Sequence, residues 1–244
     1  MLAIITGSGF YALDALSNPQ TETVTTPYGD AVVTSGNWNG HTPVLFLPRH
    51  GTDHSIAPHL INYRANIWAL RERGATHVVA TAVSGSIDPA FAMGDFVVID
   101  DFIDFTTGRA TTFFDTPGEV QHTDMSNPYD PLLSAVIAEA AEALSLPVHR
   151  GGVYCATNGP RFETKAEIAM MATVGGSLVG MTGCPEVILA NEFGLAYAAI
   201  AMIVNAATGL STEGFRVDEI FAMLDTARPD LERLIGEVIE RMKP

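Results

Sequence analysis

The sequence is poor in cysteine and in positive charge. Its 244 residues include two cysteines, and 13 Lys and Arg stand against 28 Asp and Glu, for a formal net charge of -15. Cys155 and Cys184 show no CxxC spacing and are too few for a disulfide framework, which predicts free thiols in a reducing compartment. A field of this sign repels polyphosphate, so neither nucleic acid nor an anionic membrane surface is expected as a partner. A small anion can still be bound locally by Arg, His and backbone N–H groups.

The sequence also has no basic leader before its first strand-like run, no apolar run of membrane-spanning length, no internal repeat and no low-complexity tract. These absences predict a cytoplasmic protein without a membrane partner. With 47% hydrophobic and 17% charged residues, the chain can bury one large core. We therefore expect residues 1–244 to form a single domain.

Apolar runs of strand length alternate with helical periodicity, which predicts an α/β fold with a mixed central β-sheet flanked by helices. The predicted strands are residues 2–6, 44–47, 77–82, 96–99, 152–156, 178–181 and 198–204. The predicted helices are residues 60–73, 131–144, 164–174 and 185–193, followed by a C-terminal pair broken near Pro229. Thr164 and Glu167 have the spacing of a capping box. Residues 109–130 show no period and indicate a long loop, which is usually functional or interfacial.

Several predicted strands end in polar or glycine-bearing segments, at residues 7–9, 48–54, 157–163, 181–183 and 205–209. In open α/β sheets, ligands bind beside the carboxyl ends of the strands. We therefore expect these segments to converge on one ligand site.

Arg49 and His50 follow one such strand in a glycine-bearing turn. An arginine can hold an oxyanion through two parallel N–H groups, and a histidine adds a donor whose charge changes near neutral pH. Ser8 offers a hydroxyl at another strand end. In a chain with few cations this clustering favours an anion site over an ordinary solvated loop. A zinc site at His50 and His54 is the alternative, although their spacing suits a helix rather than a loop and no third ligand is evident.

Other strand ends carry side chains suited to a sugar and a planar heterocycle. Met181 offers a soft apolar surface and Thr182 a hydroxyl. Phe162 can stack on a flat ring, and Glu163 can bond to sugar hydroxyls or a ring edge. The carboxamide of Asn205 can donate to and accept from a base at once. Three of these residues also have an ordinary structural interpretation. Phe162 and Glu163 can be a core aromatic beside an exposed acid, and Asn205 can be an Asn that only turns the chain.

Long motifs occurring in order identify a resemblance. The chain resembles the methylthioadenosine phosphorylase branch of the trimeric purine nucleoside phosphorylases, and within it the bacterial S-methyl-5′-thioinosine phosphorylases. The resemblance covers essentially the whole chain. The motifs that carry it are Thr26-Pro-Tyr-Gly29, Pro48-Arg-His-Gly-Thr-Asp-His54, Asn62-Tyr-Arg-Ala-Asn-Ile-Trp-Ala-Leu70, Asp101-Phe-Ile-Asp-Phe-Thr-Thr107, Asn127-Pro-Tyr-Asp130, Gly159-Pro-Arg-Phe162, and Met181-Thr182 with Pro185-Glu186.

The resemblance implies the type I nucleoside phosphorylase fold, a homotrimer and a role in purine salvage. Inorganic phosphate, as co-substrate, would attack the anomeric carbon of a purine nucleoside and release the purine and a sugar 1-phosphate. No metal or organic cofactor is implied. The site must then hold a nucleophilic anion on one face of an oxocarbenium-like sugar and stabilise charge on the departing purine.

The resemblance also implies roles for individual residues. His50 and Asn205 would be catalytic. His122 would reach the neighbouring subunit's site near the 5′ substituent, where Val217 and Ile220 would form an apolar wall; the alternative is that Val217 and Ile220 are the buried stripe of an amphipathic helix. The remaining roles are phosphate binding by Ser8, Arg49, His50 and Thr182, ribose contact by Met181, and base contact by Phe162, Asn205, Ala206 and Ala207. Glu163 is expected to bind the substrate, at sugar hydroxyls or at a ring edge.

Two departures from the family pattern refine the expectation. Adenine-specific members carry aspartates where this chain has Asn205 and Ala207, and a carboxamide can donate to a 6-oxo group while accepting from protonated N7. This favours hypoxanthine or guanine over adenine. Members usually carry a hydroxyl or amide at the position of Ala82, so one phosphate contact is either missing or supplied by Ser84.

The sequence therefore predicts phosphorolysis of S-methyl-5′-thioinosine to hypoxanthine and 5-methylthioribose 1-phosphate. The alternatives in the same class are a methylthioadenosine phosphorylase and a general inosine/guanosine phosphorylase. A nucleoside-binding protein without catalysis is the alternative from another class. A nucleoside hydrolase fits less well, because Arg49 and His50 would then have no anion to hold.

Overall fold

The computed structural model describes residues 1–7, 15–51, 55–211 and 217–243, and at 217–219 and 221 it describes the backbone only. In this part of the chain, eleven strands belong to one sheet. They are β1 Leu2–Thr6, β2 Leu16–Thr26, β3 Gly29–Trp38, β4 Thr42–Pro48, β5 His77–Ser86, β6 Phe96–Val98, β7 Asp101–Asp104, β8 Val148–Arg150, β9 Val153–Ala156, β10 Leu178–Gly180 and β11 Ala196–Ala206.

The sheet is mixed, and the central strand β5 pairs with three other strands. The order along the sheet is β2-β3-β4-β1-β5-β10-β9-β7, while β11 pairs with β5 and β6, and β6 pairs with β8. β5 runs parallel to β1 and β11 and antiparallel to β10, which joins it only at Gly85 and Ser86. β4 also runs parallel to β1. The carboxyl ends of β1, β4, β5 and β11 therefore lie at one edge of the sheet, and β10 approaches that same edge.

Helices cover both faces of the sheet. They are α1 Tyr63–Glu72, α2 Pro131–Ala143, α3 Lys165–Thr173, α4 Gly183–Glu192 and α5 Val217–Arg241, with a 3₁₀ turn at Pro58–Leu60. The strand β1 is buried on both sides: Ala3 and Ile5 pack in the core with α1 and α4, and Leu2 and Ile4 pack in the core with α2 and α5. Such two-sided burial explains why the central strands read as continuous apolar runs.

The predicted α/β class and the predicted strands and helices are confirmed, with ends shifted by a few residues. The capping box is present, with Thr164 accepting from the Glu167 backbone and the Glu167 side chain accepting from the Thr164 backbone. Residues 105–130 contain neither helix nor strand. Both cysteines are free and buried, as expected. Among the described residues no helix is long and apolar enough to cross a membrane.

Two features differ from the prediction. The prediction of two C-terminal helices separated near Pro229 is wrong, because the single helix α5 continues through Pro229 without a break. Pro229 is exposed and removes one helical N–H donor, and packing of the opposite side of α5 holds the helix together. Four strands were not predicted. The hairpin of β2 and β3 has largely polar strands with only one side buried, and β7 and β8 are four and three residues long without a fully buried residue.

Candidate active site

The five strand ends converge on a cavity of about 490 Å³. This size suits a small organic ligand. The cavity is lined by residues from the ends of β1, β4, β5, β10 and β11, from the segments after β4 and β9, and from α5: Gly7, Arg49, His50, Ser55, Ile56, Ala57, Pro58, Val83, Ser84, Gly85, Pro160, Phe162, Glu163, Val179, Gly180, Met181, Thr182, Val204, Asn205, Ala207, Thr208, Ile220 and Leu224.

Arg49 is the buried cation of this cavity, and its contacts form what we call the arginine cluster: Arg49, Thr81, Glu186 and Tyr197. Arg49 Nε donates to Glu186 Oε2 at 2.9 Å, and Nη2 donates to Oε1 at 2.6 Å. Arg49 Nη1 donates to the Thr81 carbonyl at 2.7 Å, and Tyr197 Oη donates to Glu186 Oε1 at 2.8 Å. These bonds use three of the five guanidinium N–H groups. One N–H on Nη1 and one on Nη2 have no partner among the described residues.

The arginine cluster is charged although it is almost closed to solvent. Arg49 is 2% exposed and Glu186 is 0% exposed. Burial lowers the pKa of the Arg49 guanidinium, but the charge and hydrogen bonds of Glu186 raise it by more, so Arg49 remains a cation. Burial and the Glu186 charge raise the pKa of Tyr197 well above its usual value, so its hydroxyl stays protonated and keeps donating.

Gly7 gives the guanidinium its space. A Cβ at Gly7 would lie 3.0 Å from Arg49 Nη1 and 3.3 Å from the Thr81 carbonyl oxygen. The Gly7 N–H donates to Thr81 Oγ1 at 3.1 Å. The glycine after β1 is therefore required by the arginine as well as by the turn.

His50 and Thr182 lie in the same cavity wall as Arg49. His50 Nδ1 bonds to the Ile56 carbonyl at 2.8 Å, and because a carbonyl only accepts, Nδ1 carries a proton. Thr182 precedes α4 and its side chain makes no capping bond, so its hydroxyl is not used by the helix. Together these groups form a wall suited to phosphate.

Glu163 and Asn205 line the cavity with groups that recognise polar edges. Glu163 is buried, and its Oε1 accepts from Thr157 Oγ1 at 2.7 Å. Asn205 follows an irregularity in β11 and is half-buried; its Nδ2 donates to the Ala206 carbonyl at 2.7 Å. The second amide N–H and Oδ1 of Asn205 make no bond to the described residues. Phe162, 41% exposed, completes what we call the amide–carboxylate set: Phe162, Glu163 and Asn205.

Met181 is held in place by its backbone neighbours. Gly159 has φ +61°, and a Cβ there would overlap the Met181 sulfur. From the long loop, Arg109 donates to the carbonyls of Met181 at 2.9 Å and Asn158 at 3.1 Å, and also to that of Cys184. Arg109 therefore ties the ends of β9 and β10 and the start of α4 together. Sequence reasoning missed this role, because nothing in the irregular loop indicates where its side chains reach.

Comparison with known proteins places the chain in a family. Residues 1–240 match the phosphorylase superfamily. A probable 6-oxopurine nucleoside phosphorylase of Moorella thermoacetica is 48% identical over 98% of this chain and 92% of its own length. A probable S-methyl-5′-thioinosine phosphorylase of Xanthomonas campestris is 44% identical over 97% of this chain and 96% of its own length. The chain belongs to the phosphorylase superfamily.

A solved structure has the same fold. The methylthioadenosine phosphorylase of Schistosoma mansoni, determined with adenine, superposes with a TM-score of 0.92 at 32% identity, over 99% of this chain and 91% of its own. The resemblance to nucleoside phosphorylases and the expected single-sheet α/β architecture are therefore confirmed.

The structure brings together most of the residues that the phosphorylase resemblance selected. Those that line the one cavity are Arg49, His50, Phe162, Glu163, Met181, Thr182, Asn205, Ala207 and Ile220. Ala206 does not line it, because strand alternation turns Ala206 away when Asn205 and Ala207 face inward. Its contact with the base stays a prediction.

Three other predicted residues are not placed in the cavity of this chain. Ser8 lies outside the described residues, and so does the side chain of Val217. His122 is exposed in the long loop and does not line the cavity, so its role at a neighbouring subunit stays a prediction. His54, part of the zinc alternative, also lies outside the described residues, which contain no group of three or more potential metal ligands.

Ser84 was the candidate for the phosphate contact that Ala82 lacks. It lines the cavity and is 2% exposed, and its hydroxyl has no hydrogen-bond partner in the described part of the chain. An unpartnered buried hydroxyl is unusual. The Ser84 hydroxyl therefore has the position and the open hydrogen-bonding capacity for such a contact, and its role in phosphate binding stays a prediction.

Proposed function

We propose that this protein catalyses phosphorolysis of 6-oxopurine nucleosides, with S-methyl-5′-thioinosine as its preferred substrate. The products would be hypoxanthine and 5-methylthioribose 1-phosphate. The observation that carries the proposal is the presence, in one cavity, of a buried arginine with two open N–H groups, an amide with an open N–H and an open oxygen, and a buried carboxylate. The names of the relatives support the same reaction class.

The arginine cluster supports phosphate as the nucleophile. Two N–H groups on one planar guanidinium can bind two phosphate oxygens at once. Thr182 lies in the same wall and adds a hydroxyl donor, and the His50 ring, whose Nδ1–H bonds to the Ile56 carbonyl, adds a second N–H donor in its imidazolium form. A hydrolase would need none of these groups, because water carries no charge to be held.

The amide–carboxylate set supports a 6-oxopurine. Hypoxanthine and guanine carry a hydrogen on N1, whereas adenine has a lone pair there, so the Glu163 carboxylate can accept from the first two and repels the third. The Asn205 amide can donate to O6 and accept from protonated N7. A site built on such bonds discriminates strongly between donors and acceptors.

These contacts also suit the transition state. As the glycosidic bond breaks, negative charge develops on the purine and positive charge on the sugar. Asn205 would stabilise the purine as N7 becomes protonated, while phosphate held by Arg49 and His50 faces the cationic anomeric carbon. Met181 would pack against the ribose and Phe162 against the purine ring. The proposed chemistry needs no metal or organic cofactor.

The apolar side chains of α5 support a methylthio group at the 5′ position. Ile220 and Leu224 from α5 line the cavity with apolar surface, which suits a thioether better than a hydroxyl. We further propose a homotrimer in the cytoplasm in which His122 approaches the neighbouring site, consistent with its exposed position on the long loop. An inosine/guanosine phosphorylase is the second candidate, because the same base contacts would serve a plain ribose.

The first test compares S-methyl-5′-thioinosine, methylthioadenosine and inosine, each with and without phosphate. We expect phosphate-dependent release of hypoxanthine from the methylthio substrate and little adenine from methylthioadenosine. Binding of nucleoside without phosphate-dependent turnover would instead favour the non-catalytic binding protein.

A variant tests the base assignment directly. Asn205→Asp replaces the amide with a carboxylate that can accept from the adenine 6-amino group, so we expect turnover of methylthioadenosine to rise relative to that of S-methyl-5′-thioinosine. An unchanged ratio would remove Asn205 from base selection while leaving the reaction class intact.

A further inference from the structure

Glu186 is a fully buried carboxylate that contacts the arginine of the site but does not line the cavity. It lies in the first turn of α4, four residues after Thr182. Both of its oxygens are occupied, Oε2 by Arg49 Nε and Oε1 by Arg49 Nη2 and by the Tyr197 hydroxyl. A ligand in the cavity therefore meets Arg49 first, with Glu186 behind it.

Two effects of Glu186 on an anion oppose each other. Its negative charge partly cancels that of Arg49 and repels phosphate through a medium that screens poorly. The two hydrogen bonds that Glu186 accepts from Arg49 hold the guanidinium on one side, and the bond from Arg49 Nη1 to the Thr81 carbonyl holds it on another. Together these bonds fix the plane of the guanidinium. The fixed plane determines where the two remaining N–H groups point.

We propose that Glu186 is a positioning residue for phosphate: it holds Arg49 in the orientation that presents those two N–H groups to the anion. This inference rests on the proposed function, since it requires phosphate at Arg49. Tyr197 supports the same arrangement from the strand β11 by donating to Oε1. We expect the positioning of Arg49 to outweigh the repulsion between Glu186 and phosphate. A misplaced guanidinium loses both of its bonds to the anion, whereas the negative charge of Glu186 is already partly neutralised by Arg49.

The variant Glu186→Gln separates the two effects, because they predict opposite signs. A carboxamide can accept from only one of the two Arg49 N–H groups and presents a donor to the other, so the guanidinium must turn. At the same time the variant removes the negative charge. We expect the KM for phosphate to rise roughly ten- to hundredfold while the KM for the nucleoside stays within about twofold. A phosphate KM that is unchanged or lower overturns the proposal.

A matched control lies on the same helix. Glu192 also accepts two hydrogen bonds, from Thr112 Oγ1 at 2.6 Å and the Phe113 N–H at 2.8 Å, and it is not part of the cavity. Glu192→Gln should leave both KM values unchanged. If it raises the phosphate KM as much as Glu186→Gln does, the effect is general loosening of α4 and the proposal fails.

A second variant keeps the test decisive if Glu186→Gln does not fold. Tyr197→Phe removes one donor to Glu186 and leaves the ion pair, so we expect a phosphate KM raised about threefold with the nucleoside KM unchanged. An unchanged phosphate KM in this variant would then overturn the proposal. Phosphate titration calorimetry should show the same loss of affinity as the KM. Turnover by the unsubstituted protein is measured first: if it does not depend on phosphate, the proposed function has failed before any variant is compared.

Discussion

The arginine cluster and the amide–carboxylate set share one cavity but are built in opposite ways. Arg49 is 2% exposed and bonded within the protein on two sides, whereas Phe162 is 41% exposed and Asn205 makes one bond, to its own neighbour's backbone. A buried charge without partners is costly, so the arginine must be satisfied before any ligand arrives. Phe162 and Asn205 are neutral and partly exposed, so they carry a smaller penalty and Asn205 can leave a donor and an acceptor open. The buried Glu163 carboxylate is the exception in this set, and it accepts a bond from Thr157 Oγ1.

The difference separates two tasks. In the function we propose, the arginine cluster provides one fixed cation for phosphate, and changes there should reduce activity with every nucleoside. The amide–carboxylate set provides open hydrogen-bonding groups, and changes there should alter the ratio between nucleosides.

The largest effect is expected from Arg49→Lys. A lysine has no fork to bond Glu186 and phosphate together, although it keeps the charge. We expect kcat/KM to fall about 1000-fold for all nucleosides, a loss of about 4 kcal/mol of transition-state stabilisation. Steady-state rates with two different bases measure it, and a loss confined to one base would contradict the separation of tasks.

The next effect is expected from Glu163→Gln. Loss of a charged acceptor for N1–H should lower kcat/KM for S-methyl-5′-thioinosine roughly 10- to 100-fold. Methylthioadenosine should be less affected, because its N1 can accept from the new amide. Glu167→Gln, four residues later and outside the cavity, is the control and should leave the ratio of the two substrates unchanged.

Arg109→Lys tests whether the long loop supports the whole site. A single ammonium cannot reach the carbonyls that Arg109 now bonds across β9, β10 and α4. We expect the free energy of unfolding to fall by about 2 kcal/mol, because several partly buried carbonyls lose their donors at once. Urea denaturation measures the loss. A stability equal to that of the unsubstituted protein would show that other donors replace the arginine.

A smaller effect is expected from Ser84→Ala. Its buried hydroxyl has no partner among the described residues, so its removal should leave the phosphate KM within about twofold and raise the free energy of unfolding by at most about 1 kcal/mol. A clearly higher phosphate KM would instead assign Ser84 the contact that Ala82 cannot make.

The smallest effect concerns pH and the capping box of α3, which lies beside the amide–carboxylate set. Hydrogen bonds from Arg161 and from the Thr164 backbone lower the pKa of Glu167 from 4.5 to about 2. A lowered pKa in the folded state means that Glu167 stabilises the fold above about pH 4.5 and loses this effect as the pH falls towards 2. The difference in unfolding free energy between the unsubstituted protein and Glu167→Gln should therefore shrink between pH 6 and pH 3. A constant difference would contradict it.

Much of the fold could be predicted because local patterns and tertiary packing agree. The run Leu2–Thr6 is apolar throughout and is buried on both faces. Prediction failed where packing overrode the local signal. Pro229 would end an isolated helix. The helix α5 continues because residues of its opposite side, Leu234 and Ile235 among them, are buried in the core.

The sequence by itself determined which chemistry was available: an arginine beside a histidine, an asparagine and a glutamate, in segments that follow predicted strands. Strand ends gather at one edge of a parallel sheet, so their convergence could be expected from their order alone. Only the tertiary structure decided the partners. Glu186 is 137 residues from Arg49, and Arg109 is 72 residues from Met181. A buried charge or carbonyl is satisfied by whichever group the fold brings next to it, and sequence spacing does not record that neighbour.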